Sequence, residues 1–307
     1  MNNLNLGYCC INLTLQESDA VSTNRSMIRK TFNEKGIKYA SELALKNIED
    51  LQKVIQWNLE HGVKVYRMSS DMFPWMSEYE LTDLPDFKQI QNLLQQIGTK
   101  VQEGGLRLTF HPGPFNVLAS PKPEVVKKAY KELKQHGQIL DLMGLPRTPY
   151  YPINIHIGGT YNDKETTLKR FCEAIKVLDD SAKSRLVIEN DDKLAQYTVE
   201  DLYYGMHVRT GLPITFDFLH HQCNPGNLTE AEALGLAVKA WPKDIVPITH
   251  YSSSKKVNED ATSIFRAHAD YIYENIDPHG YVIDVELESK AKELALLKYR
   301  KDFEKSL

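Results

Sequence analysis

The sequence has no long apolar run and no recognisable export signal. None of its 307 residues lies in an uninterrupted apolar stretch of the roughly 18 residues that a transmembrane helix needs. The first residues, MNNLNLGYCCINL, do not combine a basic segment with a long apolar one. We therefore expect a protein that neither crosses a membrane nor is exported, and that acts in the cytoplasm.

Cysteine is scarce, with four residues in the chain. Cys9 and Cys10 are adjacent, whereas Cys172 and Cys223 stand far apart, so the spacing fits no zinc motif. The number is also too small for a disulfide framework. We expect reduced thiols, with the adjacent pair buried in a strand.

Nucleotide-binding signatures are missing as well, because neither a G-x-G-x-x-G motif nor a P-loop follows any apolar run. No organic cofactor is therefore expected. The formal net charge of −4 argues mildly against a nucleic-acid partner, since phosphate contacts need lysine and arginine. Divalent cations held by acidic side chains would add positive charge locally, so the net charge does not exclude DNA.

The chain does contain a regular alternation of short apolar runs and amphipathic segments. Ile48, Leu51 and Ile55 share one face of a predicted helix, and similar segments follow along the chain. Continuous apolar strands are typical of parallel sheets that are covered on both faces. Eight such runs occur, at 4–11, 63–68, 106–110, 153–157, 185–188, 213–216, 245–249 and 280–285.

Eight strands, each followed by a helix, predict an α/β fold, a single (β/α)8 TIM barrel formed by residues 1–307. An open, doubly wound sheet is the alternative. No repeat or linker divides the chain into two domains. Irregular segments are predicted after strands, which places long loops on the C-terminal face of the barrel, at 12–36, 69–85, 113–123 and 251–262.

Histidine and carboxylate residues occur at the ends of successive predicted strands. They are His111, His156, Glu189, Asp217 with His220 and His221, His250, and Glu286 with Glu288. A ring of such groups at a barrel mouth implies bound cations, and imidazole with carboxylate suits Zn, Mn or Fe. The ring has room for two or three metals. His268 is ambiguous, while other histidines are interpreted as structural: His61, His136, His207 and His279.

At these residues the sequence resembles the ultraviolet-damage endonuclease family, which is related to endonuclease IV. The resemblance extends from end to end. It rests on LGY at 6–8, YRMSSDMFP at 66–74, FHPG at 110–113, NIHIGG at 154–159, IENDD at 188–192, FD at 216–217 with HH at 220–221, HYS at 250–252, HADYI at 268–272 and DVELESK at 284–290.

The resemblance implies a (β/α)8 metalloenzyme, with Mn as the first choice of metal and Zn, Co or Fe as alternatives. Glu189 would bridge two cations and, with Asp217 and His250, form the catalytic core. The ligand set carried over from the family is His111, His156, Glu189, Asp217, His220, His250, His268 and Glu288. The implied reaction is hydrolysis of the DNA phosphodiester bond immediately 5′ of ultraviolet photoproducts, with abasic sites as a further substrate.

The same resemblance assigns DNA contacts. It implies that a monomer binds damaged double-stranded DNA in the nucleoid. The residues that match lesion-binding positions are Tyr8, Asn12, Arg67, Pro114 and Phe115, and backbone contacts are expected from Arg25, Arg67, Lys122 and Lys255. Two positions depart from the family pattern. Pro114 replaces a glutamine that precedes the aromatic residue of a wedge, and Ile248 replaces a lysine that ligates metal in some members, a loss that Asp270 could offset.

Three other functions compete with this reading. An abasic-site endonuclease of the endonuclease IV type would share the fold, metals and product ends. A metal-dependent sugar isomerase would use a related barrel, but its sites depend more on carboxylates than on the histidines found here. A metal-stabilised barrel that binds DNA without cutting it would bind metal and leave the strand intact.

Overall fold

The computed structural model describes residues 4–304 and contains a closed eight-stranded parallel barrel. Neighbouring strands pair in sequence order, and the last strand pairs with the first. The strands are β1 Leu4–Cys9, β2 Val65–Met68, β3 Arg107–Phe110, β4 Ile153–Ile155, β5 Leu186–Glu189, β6 Ile214–Asp217, β7 Ile248–Tyr251 and β8 Ile283–Leu287. The predicted TIM barrel is confirmed.

Helices surround the barrel. In chain order they are α1 Leu13–Asp19, α2 Arg29–Glu60, α3 Phe87–Gly104, α4 Pro123–Leu142, α5 Lys164–Lys176, α6 Asp180–Lys183, α7 Val199–Leu202, α8 Val208–Thr210, α9 Phe218–Cys223, α10 Glu230–Lys239, α11 Lys255–Asn258 and α12 Lys292–Phe303. A π-helical segment, Tyr203–His207, joins α7 to α8. Among the residues described, no helix is long and apolar enough to cross a membrane.

The strands are buried on both faces, which accounts for their continuous apolar sequences. All four residues of β2 are buried, as are those of β5 and β6. The outer faces pack against helices such as α2, which buries Ile48, Leu51 and Ile55 on one side. The amphipathic pattern therefore located the packing face of this helix correctly.

Two strands lie further along the chain than the sequence predicts. The seventh run was expected at 245–249 and the eighth at 280–285, whereas β7 begins at Ile248 and β8 at Ile283. Pro247 has no N–H group to donate to a neighbouring strand, and its carbonyl accepts the N–H of Asp284 where the ladder starts. Because of this shift, Glu286 lies within β8 instead of beyond its end.

The segment 12–36, expected to be irregular, contains α1 and the start of α2. The side-chain oxygen of Asn12 accepts the N–H of Leu15 at 2.9 Å and caps α1, a short helix with no buried residue and so with no amphipathic signal. Helix α2 is interrupted at Gly36, whose φ of 66° is outside the helical range. Because the chain changes direction there, the sequence pattern did not predict the first turns of α2.

The barrel interior is layered. At the bottom, buried Arg107 forms an ion pair with Asp284 at 2.8 Å. Above this pair, Val65, Val187 and Ile248 form an apolar cluster. Since β2, β5 and β7 are not neighbours in the sheet, these three side chains meet inside the barrel. The Ile248 side chain therefore belongs to the floor beneath the barrel mouth, where it offers no metal-binding atom.

Candidate metal centre

Four histidines converge on the carboxylate of Glu189, the last residue of β5. One oxygen, Oε2, lies 2.9 Å from Nε2 of His111, 3.3 Å from Nδ1 of His250 and 3.8 Å from Nε2 of His156. The other, Oε1, lies 3.2 Å from Nδ1 of His220. Glu189 is 0% exposed, so this convergence occurs in a buried environment.

The ring provides three sets of ligand atoms that lie within 4.8 Å of one another. They are His111 with His156 and Glu189, Glu189 with Asp217 and His220, and Asp217 with His250 and Glu288. Glu189 and Asp217 each belong to two sets. His220 is grouped with these two shared carboxylates, and the bridging role of Glu189 stays a prediction.

His268 lies at the edge of this ring. Its Nδ1 is 2.9 Å from the backbone oxygen of Glu288 and 3.6 Å from Oε2 of the same residue. An isolated antiparallel β-bridge with Ser254 fixes the backbone of His268. Asp270, considered as a replacement ligand, is half exposed and lies 3.9 Å from Nζ of Lys255. It therefore does not take the place of the lysine that Ile248 replaces.

Contacts from outside the ring orient its histidines. Nδ1 of His220 lies 2.9 Å from the backbone oxygen of Asn190, whereas Nδ1 of His156 lies 3.0 Å from Oδ1 of Asp191 without being aligned as a hydrogen bond. The side-chain amide of Asn154 donates a hydrogen bond to Oε2 of Glu189. Partners of this kind fix the tautomer and the direction of metal-binding imidazoles. Asp191 and Asn154 were not predicted as site residues, because one follows the strand end and the other lies inside β4.

Several buried polar atoms of the ring have no hydrogen-bond partner within the described part of the chain. They include Oε1 of Glu189, Oδ2 of Asp217 and Nδ1 of His250. Nδ1 of His220 lies 3.2 Å from Oε1 of Glu189, but this nitrogen faces the Asn190 carbonyl, so its contact with Glu189 is not aligned as a hydrogen bond. Leaving buried polar groups unpaired costs about 1–3 kcal/mol each, and more when they are charged. The donor set and its unpaired atoms therefore fit divalent cations.

The pKa shifts report the same excess of negative charge. Burial alone would lower the pKa of His220 and His250, but the negative charges of Asp217 and Glu189 raise them to about 11 and about 10, respectively. Burial raises the pKa of the Asp217 carboxyl. For Glu189, the positive charges of His250, His156 and His111 outweigh burial and lower the pKa well below its usual value. The buried carboxylates of the ring are therefore stable only when positive charge lies beside them.

Arg67 and Glu286 form a pair directly beneath the ring. Nη2 and Nε of Arg67 lie 2.6 and 2.7 Å from Oε2 of Glu286, and Nη1 lies 2.6 Å from Oε1 of Glu288. Arg67 was predicted to contact DNA, yet it is only 8% exposed. The alternation of Asp284, Glu286 and Glu288 along β8 is a sequence signal that all three point into the barrel.

Tyr8 and Asn12 are also buried, at 0% and 2% exposure. The Tyr8 hydroxyl donates to Asn58 at 2.7 Å and accepts from the Asn12 amide at 2.9 Å. Asn12 in turn caps α1. Both side chains therefore lie in a hydrogen-bonded network behind the mouth, and their role as lesion contacts stays a prediction.

Pro114 and Phe115 lie on the loop after β3, beside the ring. Phe115 is 86% exposed, which is unusual for so large an apolar side chain. Both residues line a cavity of about 660 Å³ together with His111, Ser70 and Trp75. The expected wedge residues thus stand next to the candidate metal centre and face solvent.

The other basic residues expected to contact DNA differ in their surroundings. Arg25 forms an ion pair with Asp50 at 2.7 Å, and Lys255 lies 3.8 Å from Glu259. Lys122 is exposed at the start of α4. The histidines interpreted as structural lie outside the three ligand sets, each within 3.0 Å of a carbonyl or carboxylate oxygen: His61, His136, His207 and His279.

Comparison with known proteins identifies the family of this chain. The model of the UV-endonuclease UvdE family matches residues 4–306. The chain belongs to this family. The UV-damage endonuclease of Schizosaccharomyces pombe is 32% identical over 97% of the chain, and the UV DNA damage endonuclease of Bacillus mycoides is 34% identical over 83%. The chain spans half the length of the former relative and 80% of the latter.

Solved structures agree with this assignment to the UvdE family. The crystal structure of SacUVDE is 30% identical, with a TM-score of 0.84 over 98% of this chain and 99% of that one. Endonuclease IV from Thermus thermophilus covers 98% of this chain and all of its own, but at 14% identity and a TM-score of 0.57 the likeness is one of fold alone.

We predict that Mn²⁺ stabilises the protein and that the Glu189→Gln substitution removes this effect. At 100 times the dissociation constant, a ligand adds about 2.7 kcal/mol, which raises Tm by roughly 5 °C in a chain of this size. Thermal unfolding with and without Mn²⁺ measures the difference. His279→Gln, on the surface and outside the ring, is the control and should keep the full increase. An equal Mn²⁺-dependent increase in the Glu189→Gln variant would contradict the site.

Proposed function

We propose that this protein is a metal-dependent endonuclease that hydrolyses the DNA phosphodiester bond immediately 5′ of ultraviolet photoproducts. The observation that carries the proposal is the buried Glu189 carboxylate shared between two ligand sets, in a chain of the UvdE family. The S. pombe and B. mycoides relatives are named as endonucleases acting on ultraviolet damage.

The charge of the ring explains why cations are required for this reaction. Glu189, Asp217 and Glu288 place three carboxylates around one small volume. A phosphodiester anion would be repelled from this volume unless positive charge is bound there first. Divalent cations bound there would supply that charge, together with activation of a water molecule near neutral pH and stabilisation of the leaving oxygen. In this proposal the catalytic residues that would hold them are Glu189 and Asp217, each shared by two ligand sets, and His250, which belongs to the third set and lies 3.3 Å from Glu189.

We infer two cations as the core of the centre and a third that depends on His268. The ligand sets around Glu189 accommodate the first two through His111, His156, Asp217 and His220. Asp217, His250 and Glu288 form the remaining set, beside which His268 lies. Mixed imidazole and carboxylate donors suit Mn, Zn, Co and Fe, with Mn as the first choice. No organic cofactor is part of the proposal.

Lesion selection is proposed to use the loop after β3. Exposed Phe115 can stack against bases in a gap of the duplex, where every base offers an aromatic face. Unstacking costs a few kcal/mol and costs least at a site that is already distorted, so photoproducts would be favoured without base-specific contacts. Pro114 has no side-chain amide, and so the wedge here lacks hydrogen bonds. A monomer acting on damaged double-stranded DNA is the proposed working unit.

An abasic-site endonuclease is the second candidate. A metal ring of this composition could cut beside a missing base as well as beside a photoproduct, because the phosphodiester bond that is hydrolysed is chemically the same in both. The likeness to endonuclease IV extends only to the fold. Competition between the two lesions in one assay separates the candidates. A sugar isomerase is disfavoured by the four histidines around Glu189.

The reaction is tested with a duplex oligonucleotide that carries one cyclobutane dimer, with Mn²⁺ present. We expect a single nick 5′ of the dimer, and a loss of at least about 100-fold in rate for Glu189→Gln, because cations that stabilise the transition-state charge are no longer held. His279→Gln should cut at the parent rate. Undamaged and abasic duplexes run alongside.

Each outcome of this assay has a defined meaning. Cutting of the abasic duplex alone would assign the second function and keep the metal centre. If no duplex were cut while Mn²⁺ still raised Tm, the proposed endonuclease activity would be refuted.

The Phe115→Ala substitution tests the wedge. A base–aromatic stack is worth about 1–3 kcal/mol, so we expect binding of the dimer-containing duplex to weaken by about 10-fold or more. Mn²⁺-dependent stabilisation should stay unchanged, since Phe115 is not a ligand. The control is Val177→Ala, which also removes an exposed apolar side chain (71% exposed) but follows α5 on the opposite face of the barrel. Parent-like DNA binding by Phe115→Ala would exclude the wedge.

A further inference from the structure

Arg67 contacts three residues at or directly beside the candidate metal centre. Its Nη1 lies 2.6 Å from Glu288, its Nη2 and Nε contact Glu286, and Nη2 lies 2.8 Å from Nε2 of His250. Two of these partners, Glu288 and His250, belong to one ligand set with Asp217. One guanidinium therefore links a carboxylate ligand to an imidazole ligand.

Glu286 completes the link from below. Its Oε2 lies 3.2 Å from Nε2 of His250, and its other oxygen accepts a hydrogen bond from the Thr109 hydroxyl. Since Nε2 of His250 faces Arg67 and Glu286, Nδ1 is the atom turned towards Glu189 and Glu288, at 3.3 and 3.4 Å. For Nδ1 to bind a cation, Nε2 must carry the proton, which it can donate to Glu286 but not to Arg67. Glu286 therefore fixes the tautomer of His250, and Arg67 holds Glu286 in place.

Arg67 and Glu286 carry opposite charges, and both are buried. Glu286 is 0% exposed and Arg67 is 8% exposed, so each buried charge has its partner in the other. The single positive charge of Arg67 is shared by Glu286 and Glu288, and its fork holds both carboxylates beside His250.

We propose that Arg67 and Glu286 are positioning residues that hold His250 and Glu288 in the metal-binding arrangement, and that Arg67 does not contact DNA. The inference rests on the metal centre proposed above. Arginine suits the position because its planar fork directs several donors at fixed angles, whereas lysine carries its charge at a single point. The Arg67 side chain is only 10% exposed and its N–H groups face Glu286, Glu288 and His250, so its guanidinium is directed away from a phosphate at the surface.

Arg67→Lys is the decisive variant, because it keeps the positive charge and removes the fork. Loss of an outer partner of a metal ligand costs about 10–100-fold in metal affinity, so we expect Mn²⁺ to bind at least about 10-fold more weakly. Titration calorimetry with Mn²⁺ measures this without any DNA or activity. The matched control is Arg25→Lys, the same substitution at an arginine that pairs with Asp50 away from the ring.

Glu286→Gln is the second variant. It keeps Arg67, so the buried carboxylate of Glu288 retains its positively charged partner. It should also weaken Mn²⁺ binding by at least about 10-fold, since His250 loses a charged partner. DNA binding is measured separately for both variants, on the same dimer-containing duplex. Circular dichroism and the Tm of the metal-free proteins show whether the barrel is intact.

The outcomes separate positioning from its alternatives. Weaker Mn²⁺ binding in both variants, with Arg25→Lys within two-fold of the parent, supports the inference. A lowered Tm with parent-like Mn²⁺ affinity would mean that the pair has only a structural role and would overturn it. So would weaker DNA binding with unchanged Mn²⁺ affinity. If the parent protein itself bound no Mn²⁺, the metal centre would fail together with this inference.

Discussion

The burial of the Glu189 carboxylate is the constraint on which the rest of this site depends. A fully buried negative charge is unfavourable unless positive charge lies beside it. The fold meets this requirement by directing four histidines at one carboxylate from β3, β4, β7 and the start of α9. Two further carboxylates, Asp217 and Glu288, increase the negative charge beyond what a structural ion pair needs. The donor set of the ring therefore fits divalent cations.

The layers beneath the ring make this charge effective. Val65, Val187 and Ile248 form an apolar floor, and Arg107 with Asp284 forms an ion pair at the bottom of the barrel. A dry interior strengthens electrostatic interactions at the mouth, because less solvent is present to screen them. Ile248 thus has a clear place in the structure, as part of the floor. The mouth above remains open beside the loop that carries Phe115.

Much of the fold and part of the site could be predicted from the sequence. The apolar runs located all eight strands because both faces of each strand are buried, and the strand ends located Glu189, Asp217 and His250. The alternation of Asp284 and Glu286 indicates that they share a face, but the contact between Arg67 and Glu286 could not be predicted, because the predicted eighth strand ended at residue 285, before Glu286. The hydrogen bonds of Tyr8 and Asn12 likewise depend on the packing of α1, α2 and β1, and the periodicity of the sequence does not predict this packing.

The central claim is that Glu189 is shared by bound cations, and a crystal structure with Mn²⁺ tests it most directly. Anomalous difference maps locate the ions independently of any assay. We predict at least two peaks, each roughly 2 Å from an oxygen of Glu189 and from at least one imidazole nitrogen of the ring. A map with no peak at Glu189, in crystals where Mn²⁺ is present at saturating concentration, would contradict the account and leave the ring as a network of protonated histidines.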